Sequence, residues 1–241
     1  MRLMLLGAGG PTVVTPPATL SVVQVTPVVT GNTVDTSRTL TFPSGIGASG
    51  MIVVCAAVGA EGSSGAADSD DIITSITMSG TGVWARAHGN PMPVGLFGTD
   101  VWKSDISGAG ATAITVNHLN DVHCAMFAME LSATGTLATP ASSTTYNDAS
   151  PSTGPVTSLP ADYGIAILTV YNDPYGHAGD PVFTAPSGYT KRAEQVVKDS
   201  NIPVFACFTR ETTGGSSETA EYSIAFPSSY GQKGSLIVYT L

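Results

Sequence analysis

Short apolar runs alternate along the chain with turns rich in Gly, Ser and Thr, and the runs have the length and period of β-strands. Met51–Val58 is apolar without a break, the pattern of a strand covered on both faces. Ala113–His118 and Thr219–Phe226 alternate instead, so one face of each is predicted to meet water. Further strands are predicted at Ser21–Val25, Thr36–Phe42, Ile72–Met78, Val101–Lys103, Ala125–Leu131, Ile165–Tyr171, Val204–Thr209, Glu221–Ala225 and Leu236–Thr240. No stretch shows a helical period. The connections are turn chemistry, as in Gly59–Gly65, Ser107–Gly110 and Thr213–Ser217.

The same succession occurs twice. Leu40–Gly62, Met78–Gly89, Val101–Leu119 and Cys124–Leu131 are answered by Val156–Asp173, Ala185–Gln195, Ala206–Phe226 and Gly234–Leu241. In each copy an apolar run leads to a Ser-Gly turn and an aromatic, Trp84 in one and Tyr189 in the other. The repeat is placed at about 32–131 and 148–241. The intervening Ser132–Pro155 reads either as a linker or as a strand crossing between halves. Each copy offers four or five evident strands, too few to cover both faces of a sheet alone. The expected fold is therefore all-β: one antiparallel, jelly-roll-like β-sandwich over residues 20–241, built from two similar halves. Two separate small domains are the alternative.

Residues 1–19 differ from this body. Pro11, Pro16 and Pro17, with the stretch Gly7–Gly10, disfavour a helix and predict an extended arm. The apolar segment Leu3, Met4, Leu5 and Leu6 is shorter than the roughly 7–15 residues of a signal-peptide core. It is expected to dock on another protein, and no membrane insertion is expected.

Charge narrows the function classes. Asp and Glu number 18 against 9 Lys and Arg, a net charge of −9, so the phosphate-neutralising surface of a nucleic-acid binder is missing. Charged residues make up only 11% of the chain, well below the usual quarter, so hydroxyls must supply much of the polar surface. That composition suits a protein packed into an assembly or exposed outside a cell. Cys55, Cys124 and Cys207 lie in apolar runs and read as buried free thiols.

Catalytic raw material is thin, and no catalytic residues are assigned. No G-x-S-x-G occurs; Gly47-Ala48-Ser49-Gly50 stops one position short. His118, Asp121, His123 and Cys124 are close enough in sequence for zinc, but their spacing reads as a hairpin tip. Asp68, Asp70 and Asp71 offer oxygen ligands without the order of a calcium loop. No metal and no cofactor is expected. Trp84, Trp102, Tyr171, Tyr175 and Tyr189 combine an apolar face with a hydrogen-bonding edge, the combination that sugars use. Among the loops, Tyr171, Asp173, Tyr175, His177 and Asp180 form the candidate ligand-facing set, expected to emerge at the same end as Gly59–Asp71.

The opening Leu-Met-Leu-Leu-Gly-Ala-Gly-Gly, the LTFPSGIGASGMIVVCAAV segment and the APSGYTKRA turn carry a resemblance. The chain resembles small β-rich virion proteins of tailed bacteriophages and prophages. The resemblance implies a non-enzymatic structural component, of capsid-decorating (cement or head-fibre) or tail-tip type. It implies major capsid or tail proteins as partners, a homo-oligomer, and residence in a virion assembled in the host cytoplasm. A carbohydrate- or receptor-binding adhesin module facing a host surface glycan is the alternative.

Overall fold

The computed structural model describes residues 19–31, 35–60, 72–90, 97–119, 122–145, 148–156, 163–172, 179–196, 202–213, 217–225, 227 and 232–241. Among them every regular element is a strand, and every strand pairing is antiparallel. The expected all-β antiparallel class holds.

The first half contains β1 (Val22–Val25), β2 (Val29–Gly31), β3 (Ser37–Thr41), β4 (Met51–Ala60), β5 (Ile73–Thr77), β6 (Ala85–Asn90), β7 (Phe97–Asp105), β8 (Ala113–His118) and β9 (Val122–Leu131). Its large sheet runs β1-β9-β4-β7-β6, with β2 also on β9, and its small sheet runs β3-β8-β5. The second half contains β10 (Thr136–Leu137), β11 (Ala141–Thr145), β12 (Ser152–Val156), β13 (Tyr163–Asn172), β14 (Val182–Thr184), β15 (Thr190–Gln195), β16 (Val204–Thr213), β17 (Glu218–Glu221), β18 (Ser223–Ala225) and β19 (Gln232–Thr240). Its large sheet runs β10-β19-β13-β16-β15, with β11 also on β19.

The two large sheets therefore have the same order, strand for strand. The small sheet of the second half is the same layer cut in two: β12 pairs with β17 and β14 with β18, where β3 and β5 share β8. The cut falls at Tyr222, which is buried. A Cβ on Gly234 would lie 2.7 Å from the Tyr222 hydroxyl, so only glycine leaves room for this ring.

Alternation within single strands shows how the layers stack. On β4, Met51, Val53, Cys55 and Ala57 enter one core while Ile52, Val54, Ala56 and Val58 enter another. The second of these lies under the small sheet, against Leu40, Ile76, Ile114 and Val116. The second half repeats the arrangement, with Ala166, Leu168, Val170 and Phe208 against Val156, Phe183, Ala220 and Ile224. The remaining faces meet each other: Phe127, Met129 and Leu131 pack with Ile165, Phe205, Ile237 and Tyr239. Each buried side chain of this size contributes about 1.5–3 kcal/mol.

The molecule is thus four layers around three cores, where the sequence reading expected one sandwich of two halves. Each half is a sandwich in its own right, and the two large sheets stack back to back. The difference arises from the short strands β6, β12, β14 and β15, whose mixed sequences left too few recognisable strands per copy. The segment 132–155 is not a bare linker. It carries β10 and β11, which border β19 as β1 and β2 border β9. The structural repeat consequently begins before residues 32 and 148.

A shared bulge fixes the residue correspondence between halves. Pairing shifts between Arg86 and His88 on β6, and between Lys191 and Ala193 on β15. Arg86 lies opposite Trp102 and Lys191 opposite Phe208, so Trp102 corresponds to Phe208 and Ser104 to Arg210. Following the ladders across, Cys55 corresponds to Thr169, Phe127 to Ser235 and Thr99 to Phe205. Bulges on both outer strands also disrupt the exposed edges, which limits further strand pairing there.

Candidate functional site

A concave site lies on the second half, at the turn that precedes β15. Tyr189 donates its backbone N–H to the Pro186 carbonyl (3.0 Å), closing a four-residue turn. Gly188 sits at its third position with φ 80°, a conformation natural only to glycine. The turn drives Tyr189 inward, leaving it 8% exposed. Its hydroxyl donates to Glu218 Oε1 at 2.6 Å.

Glu218 belongs to the inward phase of the outer layer, with Ala220, Tyr222 and Ile224, and is 1% exposed. A carboxylate so placed needs partners. Besides the phenol, Arg210 donates from Nη2 to Glu218 Oε2, and its guanidinium lies 5.3 Å over the Tyr189 ring. Burial, then the hydrogen bond to Glu218 and its negative charge, push the Tyr189 phenol well above its ordinary range, against the opposing pull of Arg210. Tyrosine, carboxylate and guanidinium therefore hold one another in fixed positions. Beside them opens a cavity of about 330 Å³, lined by Pro186, Ser187, Tyr189, Arg210, Thr219 and Glu221.

The first half has a smaller cavity, about 250 Å³, beside the segment that precedes β6, lined by Met78, Thr81, Val83 and Trp84 among others. It lacks the charged residues, since Ser104 stands where the second half has Arg210. A different buried carboxylate occurs there: Asp100 is inaccessible to solvent, accepting from Arg86 Nε (2.6 Å) and Trp102 Nε1 (3.0 Å). Its counterpart in the second half is Ala206. The fold is therefore built in one half without each set of charges that the other half carries.

The residues singled out from sequence fall differently. Leu3, Met4, Leu5, Leu6, Pro11, Pro16 and Pro17 lie outside the described residues, as do Asp173, Tyr175 and His177. Tyr171 is a correction to the ligand-facing set: it is fully buried in the core between the halves, because its strand phase is that of Ile165 and Ile167. Asp180 is exposed. Trp102 has its indole N–H bound to Asp100. Arg210, Glu218, Thr219 and Glu221 were not singled out.

His118 and Cys124 lie near Arg38, itself 8% exposed and paired with Asp35 at 3.2 Å. Burial lowers the His118 pKa, opposed by its hydrogen bond to the Leu119 carbonyl at 2.8 Å. Burial pushes the Cys124 thiol up to about 11. No group of three or more His, Cys, Asp or Glu side chains among the described residues is placed to hold a metal ion. Asp68, Asp70, Asp71 and Asp121 lie outside the described residues.

No protein-family model, curated protein or solved structure matches this chain.

Proposed function

We propose that the protein is a non-enzymatic structural component of a tailed-bacteriophage virion, decorating the capsid or forming part of the tail tip. The observation that carries this reading is the outer face of the first half's small sheet. Ser37, Thr39 and Thr41 on β3, Ser75 and Thr77 on β5, with Thr115 and Asn117 between them on β8, give that face hydroxyls and amides instead of charge. Asn117 Nδ2 donates to Ser75 Oγ at 2.9 Å, so the face is tied together laterally. Such a surface packs against neighbours without stripping water from ions, the larger cost of burying polar groups. Both faces of each large sheet are already committed to cores, so contacts with other subunits fall to outer faces, edges and loops.

In this reading Met1–Thr19 docks on a neighbouring capsid or tail protein, adding a strand or burying its apolar residues there. Particles carrying a chain without Met1–Pro17, purified and analysed by mass spectrometry, test it. Loss of the truncated chain from particles, with an unchanged melting temperature of its body, is expected. Undiminished incorporation overturns the arm's role, and absence of the full-length chain from particles overturns the virion assignment.

A further inference from the structure

We infer that the cleft beside Tyr189 and Arg210 binds a neutral saccharide unit. This stands apart from the virion assignment and does not depend on it. At about 330 Å³ the cavity is at the low end of small-molecule sites, roughly 300–1,000 Å³, so it accommodates a single sugar-sized unit and not an extended chain.

Its lining has the chemistry of a polyol site. Thr219 and Glu221 are two positions apart on β17, in the outward phase, so both point to the same side. With Ser187 they place two hydroxyls and one carboxylate around the opening. Pro186, with the exposed margin of Tyr189 beside it, supplies the apolar patch that the C–H face of a sugar covers. Arg210 supplies donors from a guanidinium already stacked and anchored, so little side-chain entropy is lost on binding.

Charge separates the ligand classes. Glu218 neutralises Arg210 from beneath, Glu221 adds a negative rim, and the chain carries a net charge of −9. A phosphate or carboxylate ligand is disfavoured by this balance, and one rim carboxylate is too few ligands for a hard cation. A hydroxyl-rich neutral ligand satisfies both donors and acceptors. The internal comparison adds weight: Ser104 stands in the first half where Arg210 stands here, so that half is built without this guanidinium.

Saturation-transfer NMR on the full chain, with a panel of methyl hexosides and N-acetylhexosamines and with inorganic phosphate as the anionic control, tests the inference. At least one neutral sugar is expected to bind. Glu221→Gln and Thr219→Val change exposed side chains and leave the fold intact; each is expected to weaken that sugar roughly tenfold, the effect of losing one hydrogen bond in a site with charged groups. No transfer to any sugar of the panel overturns the inference, as does sugar binding that both variants leave unchanged. Binding of phosphate in preference to every neutral sugar also overturns it.

Discussion

The ring of Phe127 meets the ring of Phe205 across the two halves, with centroids 5.9 Å apart and planes inclined by 50°. The equivalent positions of the repeat are Ser235 and Thr99, and they also meet, through a buried hydroxyl–hydroxyl hydrogen bond of 2.8 Å. One contact has thus been built twice, as a ring pair on one side of the interface and a hydroxyl pair on the other. Each bulky position of one half is a small residue at the equivalent position of the other, so the interface between the two similar sheets is itself asymmetric, with rings on one side and hydroxyls on the other.

Truncating either ring is expected to leave a cavity at the centre of the molecule. Phe127→Ala and Phe205→Ala should each cost about 3–5 kcal/mol in urea unfolding. Because the rings touch, the double variant should cost less than the sum by about 0.5–1.5 kcal/mol. Strict additivity would show that the rings do not support one another.

The hydroxyl pair should behave differently. Thr99→Val or Ser235→Ala alone breaks this buried hydrogen bond while keeping one of its two hydroxyls, and is expected to cost about 1–3 kcal/mol. The double variant removes both polar groups, so it should be no worse than the poorer single variant. A double variant destabilised by the sum of the singles would mean that the hydroxyls act independently.

This interface also marks the limit of what was legible in the sequence. Runs such as Met51–Val58 declared strands covered on both faces, and the recurring Ser-Gly turns declared the repeat. An apolar face does not say what covers it, however, so four layers and two looked alike. Short strands of the outer layer, such as Ser-Thr-Gly-Pro-Val at β12, carry too little pattern to be counted. Tyr171 adjoins a polar loop in sequence, but its strand phase is that of Ile165 and Ile167, and the phase decides that its ring enters the core. Tyr189 was recognised, but Glu218 was not, although it stands in the apolar phase of Ala220, Tyr222 and Ile224. A carboxylate on a core phase is a readable sign that partners await it. Arg210, from another strand, is brought to it only by the fold.

Lys233 is 2% exposed, and loss of hydration lowers its pKa from 10.5 to about 8. The unfolded chain therefore holds this proton more tightly than the folded one. Stability is penalised below about pH 8 and is expected to rise toward pH 10.5, by on the order of 1–3 kcal/mol. Tyr189 and Tyr239 act in the opposite sense above their ordinary value of 10.0, since burial raises both and the unfolded chain loses those protons first. The difference in unfolding free energy between wild type and Lys233→Met cancels the tyrosines. That difference should shrink as pH rises from 8 to 10.5; a difference independent of pH would remove Lys233 as its source.

The Tyr189–Glu218–Arg210 cluster should be most vulnerable to loss of its cation. Arg210→Met leaves the Glu218 carboxylate, 1% exposed, with the phenol as its one remaining partner among the described residues, and is expected to cost about 1–3 kcal/mol in urea unfolding. Arg210 itself is 39% exposed on its side chain, which keeps the figure below that of a fully enclosed pair. Tyr189→Phe removes one neutral donor and should cost less. Adding Glu218→Gln to Arg210→Met removes the stranded charge while the amide oxygen still accepts from the phenol, so the double variant should recover most of the loss. If it recovers nothing, Arg210 contributes by packing over the Tyr189 ring and not by neutralising the carboxylate beneath it.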